Sequence, residues 1–276
     1  MKKIYAEKNE LCISISKKPG MFGTIIHNAG YEALGLNFFY KAFKTDHLED
    51  AIKGVRALQI RGCSVSMPYK EKVIQYLDEL DSSAKQVKAV NTIVNNNGKL
   101  IGYNTDVFSL KKCLKKISKN KNQKVLVLGA GGMTRAVLVA LDYLKIKNIT
   151  ITNRTISKGK KIAKEFDLKF IPWDKRNNIE TDIIINSTSM GMYPIILESP
   201  LSDNIVKKSK TIVDVISNPI QTKLIKLAIK YKKNTILGTD LAFEQAVTQF
   251  KLYTGEKAPI LEMQKAINKF YKINSK

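Results

Sequence analysis

The sequence predicts an α/β fold in two domains, the second of them a doubly wound parallel sheet. Three observations carry this. Short apolar runs alternate with stretches of helical periodicity along nearly the whole chain. A lysine- and asparagine-rich stretch without apolar periodicity, Lys116 to Lys124, separates two halves of different rhythm. The length, 276 residues with 44% apolar, exceeds the needs of one small core, and the composition is too mixed for disorder. The domains are expected over 1–106, completed by C-terminal helices within 240–276, and over 107–239.

In the first half, Leu11 to Ser16 alternates as a strand, and Lys17-Lys18-Pro19-Gly20 breaks it. Thr24 to Leu34 suits a helix, and Asn37 to Phe43 a second apolar strand. Leu48, Ile52, Val55 and Leu58 repeat at helical spacing within 46–58. Cys63 to Met67 reads as a short buried strand closed by Pro68. A helix over about 70–79, another near 82–87, and a hairpin over 90–103 turning at Asn95-Asn96-Asn97-Gly98 complete this half.

The second half opens on a continuous apolar strand, Lys124 to Leu128, followed by a glycine turn at Gly129 to Gly132, a helix from Met133 to Leu144 and a strand from Asn148 to Thr152. That is one βαβ unit. The alternation continues with a helix at 157–166, strands at 168–171, 182–186 and 211–215, a helix at 220–231 and a strand at 234–237. Two last helices, 240–250 and 258–272, have the length to cover the first domain.

Bulk properties narrow the function. The chain carries 47 lysines and arginines against 24 acidic residues, a formal charge of +23. The basic residues are nearly all lysines on amphipathic segments, without arginine–aromatic interleaving, so they read as solvated faces and not as a nucleic-acid surface. A basic field still favours small anions. No apolar run approaches a membrane span, and Met1-Lys2-Lys3-Ile4-Tyr5 has no following apolar segment, so a cytoplasmic protein without membrane partners is expected. Cys12, Cys63 and Cys113 form no Cys-x-x-Cys pair, and His27 and His47 stand in no ligand-spaced cluster, so neither disulfides nor a metal are expected. His27, at a helix start, reads as a capping or packing residue.

Gly129-Ala130-Gly131-Gly132-Met133-Thr134 stands between the strand and helix of the βαβ unit, where a dinucleotide pyrophosphate meets a helix N-terminus. Thr134 takes the place of the third glycine of the usual fingerprint. About 20 residues on, where an NAD-binding Rossmann domain places an acid, the chain has Asn153-Arg154-Thr155 and then Lys158. A guanidinium and an ammonium there favour a 2′-phosphate, so NADP is the expected cofactor. The polar run Asn186 to Met192 follows a buried strand at the sheet's carboxyl edge. Thr188 and Met190, with Gly238 after the last strand, are candidates for the nicotinamide side.

Hydride chemistry at a carbonyl needs a positioned proton donor. Lys70, reading as the opening of a helix behind a strand, and Asp106, at the close of the hairpin, are the candidates, with Asn91 as an amide for a hydroxyl-bearing ligand. The series Met67-Pro68-Tyr69-Lys70-Glu71, Ala89-Val90-Asn91-Thr92, Tyr103-Asn104-Thr105-Asp106, Gly129-Ala130-Gly131-Gly132, Asn153-Arg154-Thr155, Asn186 to Met192 and Gln245-Ala246 resembles the shikimate dehydrogenase family in order and spacing. The resemblance implies that Lys70 and Asp106 form the catalytic pair, that Asn91 and Gln245 hold substrate hydroxyls, and that 3-dehydroshikimate and shikimate are interconverted in aromatic biosynthesis. Quinate or another cyclic hydroxy-acid, or a low-activity NADP-binding paralogue, is the alternative. A monomer or homodimer is expected.

The family's Ser-x-Ser-Pro element, which holds the substrate carboxylate, is absent: before His27-Asn28 the chain reads Met21-Phe22-Gly23-Thr24. This is similar to the divergent shikimate dehydrogenase-like subgroup. Thr24 is the nearest hydroxyl, with Ser66, and Ser14 and Ser16 at the first strand, as further candidates. The family's tyrosine after the strand near Asp214 is also missing from Val215-Ile216-Ser217-Asn218.

Overall fold

The computed structural model describes residues 9–117 and 120–274. The expectation drawn from Met1 to Tyr5 lies outside them, as do Ser118 and Lys119 of the expected boundary stretch. The chain forms two compact units, one running to Thr105 and resuming at Gln245, the other Asp106–Glu244.

The first unit begins with β1 (Glu10–Ser16), α1 (Phe22–Ala33), β2 (Phe38–Lys44), α2 (Leu48–Ala57) and β3 (Gly62–Val65), then β4 (Glu79–Leu80), α3 (Ser82–Val87), β5 (Thr92–Asn96) and β6 (Lys99–Tyr103). Its sheet runs β2-β1-β3-β5-β6-β4. β1 is parallel to β2 and β3, whereas β5 runs antiparallel to β3 and β6. Strand alternation sorts β1: Ile13 and Ile15 enter a core with Leu48, Ile52 and Val55 of α2, while Cys12 meets Tyr31 of α1 on the other face. The β5–β6 hairpin turns on Asn97 and Gly98, both at positive φ (52° and 90°), the geometry that such a two-residue turn demands. Asn95 closes it by accepting Gly98 N–H at 2.7 Å.

The helix expected over 70–79 is replaced by a short 3-10 helix, Lys72–Tyr76, followed by β4. Asp78 diverts the chain. Its carboxylate accepts Leu100 N–H at 2.6 Å and Arg56 at 2.7 Å, and its own N–H donates to the Leu100 carbonyl at 3.0 Å. Pairing with β6 therefore takes the backbone bonds a longer helix would have used.

The second unit comprises α4 (Thr105–Lys115, entered one residue earlier), β7 (Val125–Leu128), α5 (Gly132–Tyr143), β8 (Ile149–Asn153), α6 (Ile156–Glu165), β9 (Lys169–Pro172), β10 (Ile183–Asn186), α7 (Asp203–Lys208), β11 (Thr211–Asp214), α8 (Lys223–Lys230) and β12 (Asn234–Ile236). All six strands are parallel in the order β12-β11-β10-β7-β8-β9. Strand order reverses between β7 and β10, and the carboxyl ends of that pair are where such sheets take ligands. β7 and β10 are buried along their whole length, which explains the apolar runs Val125–Leu128 and Ile183–Ile185. α9 (Gly238–Thr254) then crosses the division, and α10 (Ile260–Asn274) packs on α1. Among the described residues no helix is long and apolar enough to cross a membrane. The three cysteines are free and buried.

Candidate active site

In the first unit, Lys70 stands on the turn between β3 and the 3-10 helix, partly buried. It does not open the α-helix expected from the sequence but precedes the N-cap Glu71 of the short 3-10 helix. Two backbone bonds clip its segment to the next motif. Lys70 carbonyl accepts Val90 N–H at 2.7 Å, and Asn91 carbonyl accepts Val65 N–H at 2.8 Å. Beneath Lys70, buried Tyr69 donates its phenol to the Thr45 carbonyl at 2.7 Å. Ser66, after β3, is exposed.

Asn91 is fully buried. Its Oδ1 accepts three hydrogen bonds, from Thr105 N–H at 2.8 Å, Thr92 Oγ1 at 2.8 Å and Thr105 Oγ1 at 3.0 Å. Its Nδ2 has no protein partner. The backbone donor fixes which end of the amide faces inward, because turning it over would set N–H against N–H. An unanswered buried donor costs about 1–3 kcal/mol, a cost that an acceptor brought by a ligand would remove. Asn104 ties the same corner, donating to the Ala89 carbonyl at 2.9 Å.

Met21 is exposed, and a Cβ at Gly23 would stand 3.0 Å from the Tyr40 ring and its oxygen. The Tyr40 phenol is held by Ser14 and Ser64, so Ser14 is occupied inside the fold, and Ser16 is buried. Thr24 lies in the first turn of α1 with a buried, unpartnered hydroxyl. His27 is a packing residue, not a cap. It is fully buried, stacked on Tyr40 at 4.6 Å, and burial lowers its pKa to about 4. Gln245 is partly buried on α9. One helical turn later Gln249, which sequence reasoning missed, donates from Nε2 to Thr92 Oγ1 at 2.9 Å and Ser64 Oγ at 3.2 Å.

The second unit holds the glycine turn. Gly129 has φ +118°, and a Cβ there would lie 2.8 Å from Ser187 Oγ, so both backbone and space require glycine. Gly131, the N-cap of α5, is exposed with open space where a Cβ would stand, and the first turn of α5 carries no acid. Ala130, Gly132 and Met133 are partly buried around it. This open, acid-free helix N-terminus fits a dinucleotide pyrophosphate. Thr134 explains the missing third glycine. Fully buried, it accepts Gly131 N–H at 3.1 Å and meets Ser187 Oγ at 2.8 Å, and Ser187 donates to the Leu128 carbonyl at 2.6 Å. One proton chain thus fastens the turn to the end of β10.

At the end of β8, Asn153 Nδ2 donates to the Thr155 carbonyl at 2.9 Å and shapes the loop into α6. Arg154, Thr155 and Lys158 are exposed, and the first turn of α6 carries no acid. Among the described residues neither Arg154 nor Lys158 has an ion-pair partner, so both heads suit a 2′-phosphate. At the end of β10, Asn186 Oδ1 accepts Thr188 N–H and Oγ1 at 3.1 and 2.7 Å, and Thr188 Oγ1 accepts Met190 N–H at 3.2 Å. Asn186 Nδ2 donates to Asp214 at 3.1 Å, and Asp214 also receives Thr222 Oγ1 at 2.6 Å. Burial raises the Asp214 pKa to about 6. Gly238 is buried so tightly against Ile216 and Ser217 that any side chain would meet their backbone. Asp106, in the first turn of α4, is buried.

Residues 15–93 match the model of the shikimate dehydrogenase substrate binding domain, and residues 111–233 that of shikimate / quinate 5-dehydrogenase. A shikimate dehydrogenase-like protein of Haemophilus influenzae is 42% identical over 250 residues, covering 90% of this chain and 92% of its own. A shikimate dehydrogenase (NADP(+)) of Methanococcus maripaludis is 40% identical over 263 residues, with coverage of 90% and 92%. The crystal structure of a shikimate dehydrogenase in complex with NADP+ superimposes with a TM-score of 0.84 at 35% identity, over 96% of each chain. The chain belongs to the shikimate dehydrogenase family.

Proposed function

We propose that this protein reversibly reduces 3-dehydroshikimate to shikimate with NADP as cofactor, a step of aromatic biosynthesis. The observation that carries the reading is the Asn91 amide: a buried donor without a protein partner, oriented by a backbone N–H and clipped to the Lys70 segment. It suits a ring hydroxyl of a cyclic acid. NADP, when bound, supplies and takes back the hydride. Gly129 to Met133 hold its pyrophosphate, Asn153, Arg154, Thr155 and Lys158 its 2′-phosphate, and Thr188, Met190 and Gly238 its nicotinamide side. Lys70 protonates the oxygen as negative charge develops on it and takes the proton back in the reverse direction, with Asp106 as its acid–base partner. Gln245 and Ser66 add donors to substrate oxygens, and Thr24 offers its hydroxyl in place of the absent serines. The setting is cytoplasmic, in keeping with three free thiols, and the working unit is a monomer or homodimer.

Steady-state NADP reduction, followed at the nicotinamide absorbance with shikimate and quinate side by side, tests this. Saturable oxidation of shikimate is expected. No turnover of shikimate while NADP still binds would overturn the assignment. Lys70→Ala is expected to lower turnover about 100- to 10,000-fold, and unchanged turnover would remove the lysine from the mechanism.

A further inference from the structure

We propose that Gln249 is a positioning residue of the substrate site, acting through Thr92 to keep a third hydrogen bond on Asn91 Oδ1 and so to support the amide orientation that Thr105 N–H sets. The proposal rests on the reading that Asn91 takes a substrate hydroxyl.

Thr92 Oγ1 lies 2.8 Å from Asn91 Oδ1 and 3.1 Å from Thr105 Oγ1. A hydroxyl has a single proton, and a donor facing the Thr92 oxygen leaves that proton for Asn91, whereas an acceptor in its place would draw it away. Gln249 Nε2 is that donor, at 2.9 Å, and it meets Ser64 Oγ in the same way at 3.2 Å. On its other side the Gln249 amide meets His27, whose Nε2 lies 3.4 Å from Gln249 Oε1. His27 is fully buried and neutral, so it carries one ring proton. Nδ1 has no partner, so a proton there would be a buried, unanswered donor; the proton belongs on Nε2, and that N–H turns the Gln249 oxygen toward His27.

The bonds therefore run His27 N–H to Gln249 Oε1, then Gln249 N–H to Thr92, then Thr92 O–H to Asn91 Oδ1. With the Gln249 amide turned over, its oxygen would draw the Thr92 proton and Asn91 would lose one of its three donors. Donors stacked on Oδ1 polarise the amide and strengthen Nδ2 as a donor. His27, Thr92 and Asn91 are fully buried and Gln249 is 4% exposed, so water does not compete for these bonds.

The test compares Gln249→Met, which keeps the length and removes the donor, with Thr92→Val, which keeps the shape and removes the hydroxyl. Each is expected to raise the KM for shikimate about 5- to 20-fold, with the KM for NADP unchanged. The double variant is expected to be no worse than the poorer single one, because both cut the same chain. Thr92→Ser, which restores the hydroxyl, is expected to recover most of the loss. A folded Gln249→Met with wild-type KM for shikimate, or losses that simply add, would overturn the proposal. Should Gln249→Met not fold, Thr92→Val against Thr92→Ser decides, and a wild-type KM in the valine variant has the same meaning. Asn91→Ala separates the two levels. A raised KM there with none in Gln249→Met sinks the positioning role alone, and an unchanged KM in Asn91→Ala sinks the reading of Asn91 beneath it.

Discussion

His27 and Asp214 are buried titratable groups with opposite consequences for stability. Burial holds the His27 pKa down at about 4, against an ordinary 6.5. The unfolded chain then binds the proton first, so His27 contributes stability that is complete above about pH 6.5 and is lost as pH falls toward 4. Asp214 is raised from 3.8 to about 6. Its contribution is complete below 3.8 and is lost as pH rises through 6, a difference on the order of 3 kcal/mol. Asp214→Asn should therefore stabilise the protein at pH 7 and change little at pH 4, as read from thermal midpoints at the two values. A larger gain at the acid end would mean that the carboxylate is ionised in its site. Arg154→Ala is expected to weaken NADP about tenfold or more while leaving NAD nearly unaffected, measured by calorimetric titration. Equal losses would place recognition of the 2′-phosphate elsewhere. Lys70, Asn91, Arg154 and the glycine turn were legible as candidates because their residue types and positions beside strands carry meaning. Thr134 and Gln249 were not, because a hydroxyl or amide inside a helix declares no partner until the fold supplies one.

Among the elements, those with buried strands or long amphipathic helices were read from sequence within a few residues, as β7, β10 and α2 show. Those that failed were short or contested. α7 has six residues and was passed over, whereas α3, equally short, was read. The 70–79 segment has apolar residues at helical spacing, yet Asp78 and its ladder to β6 decide otherwise. The placing of α9 depends on a close approach. A Cβ at Gly62 in β3 would lie 2.3 Å from the ring of fully buried Tyr253 on α9. Gly62→Ala is expected to cost about 1–3 kcal/mol through overpacking, seen as a lowered urea midpoint. Because α9 also carries Gln249, the KM for shikimate should rise with it. A variant of wild-type stability would mean that the Tyr253 ring can move aside.

For the whole molecule, a cofactor that binds only the native state raises its apparent stability. NADP at about 100 times its Kd should add about 2.7 kcal/mol, and NAD at the same concentration much less. Melting curves with each nucleotide read this directly, and equal shifts would contradict the preference for NADP. With a formal charge of +23, nucleotide affinity should fall as salt is added, since exposed lysines and Arg154 act through a screened field. The sequence by itself determined the fold class, the βαβ rhythm of the nucleotide domain and the class of cofactor. These follow from periodicity, from a glycine turn between a strand and a helix, and from charge at a strand end, all of them local. Tertiary structure alone decided which hydroxyl and amide protons point where. Gln249 reaches Thr92 across 157 residues of chain, Thr134 reaches Ser187 across 53, and Tyr40 fills the space beside Gly23. Such pairings arise only when distant segments exclude water together, because a hydrogen bond acquires direction and strength from what is buried around it.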